Sequence, residues 1–163
     1  DLPLFTCEFD QTAHRVYITT DFMPAVGLGV KQEYRERFYA RLADLWRKYR
    51  SIEGLTREGR CLLQRRYGHA PWARETLSCY CLDGQVEEAE ARSRVIEAVV
   101  AYARVWLDLW RGAEPIKDPV YKQRVVARRK TAKGYYLARS RGGEMLKKLF
   151  GPEKSHLIES LIF

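Results

Sequence analysis

A chain of 163 residues, 46% apolar and 31% charged, is long enough for one domain with a single core, and its composition excludes a disordered or fibrous protein. No apolar run approaches the roughly 20 residues that cross a bilayer, and the first residues do not resemble a signal peptide. The net charge of +8 is concentrated, because Lys122–Lys148 holds ten Lys or Arg against the single acid Glu144.

The chain opens with two stretches rich in β-branched and aromatic residues, Leu2–Phe9 and Arg15–Phe22. The polar link Asp10–His14 between them predicts a β-hairpin. Met23–Val30, with Pro24, Gly27 and Gly29, reads as a loop. Lys31–Arg50 is a predicted helix, in which Tyr34, Phe38, Leu42, Leu45, Trp46 and Tyr49 recur at steps of three and four. Residues 51–75 read as irregular. Thr76–Leu82 reads as a buried strand stopped by Asp83-Gly84. A long helix follows from about Val86 to Arg111, with Glu87, Glu88 and Glu90 at its dipole-favoured start and Gly112 and Pro115 after its end. A basic helix is predicted over Pro119–Arg139, loosened near Gly134. Gly142-Gly143 forms a joint, Met145–Phe150 a short helix before Gly151-Pro152, and His156–Phe163 a last apolar stripe. This order suits an antiparallel sheet with helices on its faces. Without βαβ alternation or a Gly-x-Gly-x-x-Gly turn, a nucleotide-binding parallel sheet is disfavoured.

Cys7, Cys61, Cys79 and Cys81 lack metal-ligand spacing and read as buried reduced thiols in a reducing cytoplasm, with Cys79 and Cys81 on opposite faces of a strand. His14 lies in the hairpin turn and reads as exposed; His69 and His156 have no partner spacing. Asp21 is the unusual residue, an acid at the end of an apolar strand. Facing a ligand cavity, its pKa would rise and suit it to donate a proton. The plainer reading is a strand-end Asp hydrogen-bonded to the Pro24 loop. Alternation puts Tyr17 and Thr19 on the face of Asp21. Glu8 reads as solvent-facing. The basic segment implies a negatively charged partner, either nucleic acid, an acidic protein or a ligand with carboxylates.

Three stretches resemble the ferredoxin-dependent bilin reductases, in the right order. Asp1-Leu2-Pro3-Leu4-Phe5 and the following Thr20-Asp21-Phe22-Met23-Pro24 resemble the family's Leu-Pro-x-Phe strand and the Asp-x-x-Pro ending of its next strand. Leu77–Leu82 is similar to its Ser-x-Tyr-x-Leu strand. Lys130–Tyr136, leading into Met145–Gly151 and the closing Leu161-Ile162-Phe163, is similar to its C-terminal pattern.

The resemblance implies a single domain over residues 1–163, an α/β/α three-layer sandwich whose antiparallel sheet is flanked by helices, with the family's N-terminal strands absent. It implies biliverdin, or a related open-chain tetrapyrrole, held between sheet and C-terminal helices. It implies no bound metal or other cofactor, with electrons from a reduced two-iron ferredoxin that docks on Lys122–Lys148. Asp21 corresponds to the catalytic acid. Thr6, Glu8, Tyr17, Thr19, Tyr135, Tyr136, Arg139 and Arg141 are the residues expected against the pigment, Thr6 or Glu8 standing where some relatives carry His or Asn. The location implied is the cytoplasm, or the plastid stroma in an alga or plant. Two departures accompany the likeness. Asp83-Gly84 replaces an Arg that binds a propionate in relatives, and the second proton donor of some relatives falls near Thr131. Three other readings compete: a non-catalytic tetrapyrrole-binding protein, a red chlorophyll catabolite reductase with a different substrate, and a basic nucleic-acid-binding module in which Tyr135 and Tyr136 stack on bases.

Overall fold

The computed structural model describes residues 1–11, 14–27, 32–55, 76–87, 89–139 and 141–162. Strands β1 (Leu4–Gln11) and β2 (Val16–Met23) form the expected antiparallel hairpin, with Leu4 opposite Met23 and Gln11 opposite Val16. β3 (Leu82–Val86) pairs antiparallel on the other edge of β2, giving the order β1-β2-β3 among the described residues. The helices are α1 (Gln32–Tyr49), α2 (Ala89–Arg111), α3 (Pro119–Arg139) and α4 (Arg141–Ile162). Together they make an α/β sandwich, and no described helix is long and apolar enough to cross a membrane.

Alternation along β2 sorts the sheet into two faces. Val16, Ile18 and Phe22 point into the main core, where they meet Tyr34, Phe38, Tyr39 and Leu42 of α1 and Val95, Ala98, Tyr102 and Val105 of α2. Each Val, Leu, Ile or Phe side chain among them, taken out of water, contributes about 1.5–3 kcal/mol. Buried Tyr and Trp need partners for their polar ends, and the backbone supplies them. Tyr39 Oη donates to Phe22 O at 2.7 Å, Tyr102 Oη to Tyr80 O at 2.8 Å and Trp106 Nε1 to Pro3 O at 2.9 Å. Burial pushes both tyrosine hydroxyls well above their ordinary pKa, so they stay neutral donors.

The third strand lies further along the chain than the sequence pattern places it. The apolar run before Leu82 forms a turn around Ser78, whose Oγ accepts the Tyr80 N–H at 3.0 Å. The supposed stop, Asp83-Gly84, sits inside the strand. Packing explains the glycine: a Cβ on Gly84 would lie 2.3 Å from Gly54 O and 2.7 Å from Leu55 Cα. The 51–55 turn thus crosses against β3 too closely for any side chain, and Gly84 marks a close approach instead of a strand end.

At the other end, Asp118 caps α3, its Oδ1 accepting the N–H groups of Val120 at 2.9 Å and Tyr121 at 3.3 Å. Pro119 follows at the position where a missing N–H costs nothing. α3 then runs unbroken through Gly134, with no loosening there. No joint lies at Gly142-Gly143, where one is expected: α4 passes through both glycines and bends at Gly151, where φ is 78°. α3 is tied to the sheet end by Val125, which is 2% exposed, and by its cations. Arg128 Nε donates to Pro24 O at 3.0 Å and Arg129 to Leu2 O.

The cysteines are less buried than their composition suggests. Cys7 and Cys79 are exposed and Cys81 partly so, because Cys7 lies on the edge strand and the other two on the Ser78 turn. Cys79 and Cys81 therefore do not occupy opposite faces of a strand, and Cys61 lies outside the described residues. His14 is exposed as expected, His156 is exposed too, and His69 lies outside the described residues.

Candidate active site

The face of the sheet turned away from α1 and α2 carries its polar residues. The register sets them in rows: Thr6 opposite Asp21, Glu8 opposite Thr19, and Tyr17 in the row after on β2. β3 extends two of the rows, placing Asp83 beside Thr19 and Gln85 beside Tyr17. Thr6, Glu8, Tyr17 and Thr19 are partly exposed, so this part of the face is open. Asp21 and Asp83, at 0% and 2%, are closed off.

Asp21 is held by Ser78. Its Oδ2 accepts the Ser78 N–H at 2.6 Å and its Oδ1 accepts the Ser78 hydroxyl. The reason is local: β3 begins opposite Thr20, so on that edge β2 has no strand partner beyond that point and the Ser78 turn takes the place of one. The carboxylate thus satisfies a buried N–H that would otherwise belong to a ladder. Burial raises the Asp21 pKa from 3.8 to about 6, and the hydrogen bonds from Ser78 and Phe22 hold it from rising further. The partner is Ser78 and not the Pro24 loop. The two motifs that end in Asp-x-x-Pro and begin Ser-x-Tyr prove to be the two halves of one contact, separated by 57 positions in sequence.

The structure brings Tyr17, Thr19 and Asp21 to one face, as alternation predicts, and the register adds Thr6 and Glu8 to it, with Glu8 partly rather than freely exposed. Tyr135, Tyr136 and Arg139 belong to α3 and Arg141 to α4, and their side chains lie outside the described residues. Thr131 is exposed, its hydroxyl bonded back to Ala127 O at 3.1 Å. Asp83, which the sequence pattern places in a shortened loop, is instead buried in β3, and Thr19 Oγ1 donates to its Oδ1 at 2.6 Å. Sequence alternation on β3 carries that signal once the strand is placed correctly.

The fold and this face put the chain among α/β sandwiches with one polar, partly open sheet surface. A sequence model of the ferredoxin-dependent bilin reductases matches residues 1–163, and the chain belongs to that family. Among solved structures, SeMet-phytochromobilin synthase from tomato in complex with biliverdin matches with a TM-score of 0.71 at 21% identity, over 98% of this chain and 53% of that one. The chain therefore spans about half the length of that protein, and the likeness establishes the fold. No curated protein matches.

Proposed function

We propose that this chain reduces an open-chain tetrapyrrole of the biliverdin class, with electrons from reduced ferredoxin and protons from the open sheet face. The family match over residues 1–163 carries this reading, and the pigment in the tomato relative supports the substrate class. Reducing one double bond consumes two electrons and two protons. A two-iron ferredoxin gives its electrons singly, so the pigment passes through a radical and the reading requires no resident flavin or metal. The protein's part is to hold the pigment and to place acids against it.

Glu8 is the carboxyl that a pigment laid on this face would meet, since it is partly exposed while Asp21 is sealed. Asp21 stands one row away in the register, beside Thr6. Its pKa of about 6 gives it the proton affinity of a neutral-pH acid, and it can deliver that proton once the Ser78 contact opens. Thr6, Tyr17 and Thr19 supply the polar wall, and Tyr135, Tyr136, Arg139 and Arg141 are assigned to the pigment and its propionates. The exposed cations Lys122, Arg124, Lys130, Lys147 and Lys148 form the docking surface for an acidic ferredoxin.

The test is an anaerobic visible titration with biliverdin, followed by reduced ferredoxin. A sharpened pigment band, then transient radical absorbance and a new product, supports the enzyme. Binding with no change on reduction would leave a non-catalytic pigment carrier, and absence of binding would sink both. Within the active protein, Glu8→Gln is expected to slow turnover by about 100-fold with pigment affinity retained, the usual scale for losing a positioned acid.

A further inference from the structure

One row of the open face crosses all three strands. Glu8 of β1, Thr19 of β2 and Asp83 of β3 are successive cross-strand partners. Within it, Thr19 Oγ1 donates its proton to Asp83 Oδ1 at 2.6 Å, and Asp83 is 2% exposed. A threonine hydroxyl has one proton and two lone pairs. With the proton committed to a carboxylate inside the sheet, Thr19 has acceptor lone pairs left for whatever lies on the open side. The bond is short, and the branched Thr side chain has few rotamers in which to swing away. The direction of this hydroxyl is therefore fixed by Asp83.

That direction matters for the ligand class proposed above, on which this step rests. An open-chain tetrapyrrole offers N–H donors along its inner edge and lactam oxygens at its two ends. Its last nitrogen carries a hydrogen only when the pigment is protonated. A hydroxyl free to rotate would accept from an N–H or donate to a lactam oxygen equally well, and would not discriminate between registers of the pigment on the sheet. We propose that Asp83 is a positioning residue: by taking the Thr19 proton it makes Thr19 an acceptor that selects the N–H edge of the bilin, and with it the protonated pigment. Glu8 then lies beside Thr19 as a second acceptor on the same edge. Asp83 touches no pigment in this arrangement and acts through Thr19.

The experiment is a visible titration of biliverdin into the whole chain and into Asp83→Ala, Asp83→Asn, Thr19→Val, Thr19→Ser and the double variant Asp83→Ala/Thr19→Val, at one fixed pH. Thermal melts establish that each is folded. Asp83→Ala and Thr19→Val are each expected to bind about tenfold more weakly, the scale of one well-placed hydrogen bond, and to lose the long-wavelength band of the protonated pigment. The double variant should be no worse than Thr19→Val alone, because both remove the same contact. Thr19→Ser and Asp83→Asn keep the hydroxyl and an oxygen to receive its proton, and should retain most of the affinity and the band. If Asp83→Ala fails to fold, Thr19→Val and the two conservative variants still decide the matter. Folded Thr19→Val with unchanged affinity and spectrum would overturn the proposal, as would an Asp83→Asn spectrum as altered as that of Thr19→Val. Failure of the unaltered chain to bind biliverdin would overturn the bilin reading itself, a result distinct from bound pigment that ignores Thr19 and Asp83.

Discussion

At Asp21 one side chain is asked to be both a structural acceptor and a titrating acid. Burial raises its pKa to about 6 from 3.8, so between these values the folded chain holds a proton that the unfolded chain has lost. By linkage, this group's contribution favours folding most below pH 4, and it is lost as pH rises through about 6. The whole effect is at most about 3 kcal/mol, since a tenfold difference in proton affinity between the folded and unfolded chain is worth about 1.4 kcal/mol. Asp21→Asn keeps an oxygen for the Ser78 N–H and cannot titrate. The difference in unfolding free energy between the unaltered chain and Asp21→Asn should therefore change between pH 4 and 7, moving against the unaltered chain, and be flat above that range. Denaturant melts of both proteins across this range check it, and a flat difference throughout would show that Asp21 does not titrate there. Ser78→Ala removes a hydrogen bond that lowers the Asp21 pKa, so the same transition should move to higher pH in that variant.

At the scale of elements, β3 is the instructive case. Its position depends on the 51–55 turn, whose Gly54 O accepts the Gln85 N–H at 3.1 Å and whose Leu55 bridges to Gly84. A Cβ at Gly84 meets two backbone atoms that cannot rotate aside, so Gly84→Ala is expected to cost ~1–3 kcal/mol, as overpacking against fixed groups does. Chemical denaturation measures it, and a loss below about 0.5 kcal/mol, the scale of a neutral surface change, would contradict the close approach. The same contact explains what was legible in the sequence. The hairpin, α1, α2 and α3 have periodic patterns and ordinary end signals, and each was readable within a few residues. β3 was not, because Gly84 reads locally as a turn, and the backbone that requires it is some thirty positions away in the chain. The polar face was readable from alternation on β2. The seal on Asp21 and the bond from Thr19 to Asp83 were hidden by the same misplaced strand, since both partners lie on the segment 78–83. Where α3 meets the sheet end, cations that composition assigns to a partner prove to be ties. Arg128→Ala, which strips the Pro24 carbonyl of its donor, is expected to lower stability by about 1–2 kcal/mol in the same assay.

For the whole molecule, that division of labour narrows what the basic segment can do. Of the cations between Lys122 and Lys148, Arg128 and Arg129 already bind backbone carbonyls of the sheet end, while Lys122, Arg124, Lys130, Lys147 and Lys148 are exposed. Those exposed cations are available to steer an acidic protein, and steering is a long-range effect that salt screens over about 10 Å at 0.1 M ionic strength. If they dock ferredoxin, raising salt from 0.02 to about 0.3 M should lower kcat/KM for ferredoxin by roughly tenfold or more, the range that screening gives for charge-steered association. Biliverdin affinity, set by short contacts on the sheet face, should change much less. Lys122→Glu with Lys130→Glu should reproduce the high-salt value at low salt and flatten the remaining salt dependence. Both positions are solvent-exposed, so the melting temperature should stay close to that of the unaltered chain. Ferredoxin kinetics indifferent to both salt and charge reversal would remove the docking surface from this segment. Salt-sensitive binding of a single-stranded oligonucleotide by the same lysines, in the absence of pigment, would transfer the segment to nucleic acid instead.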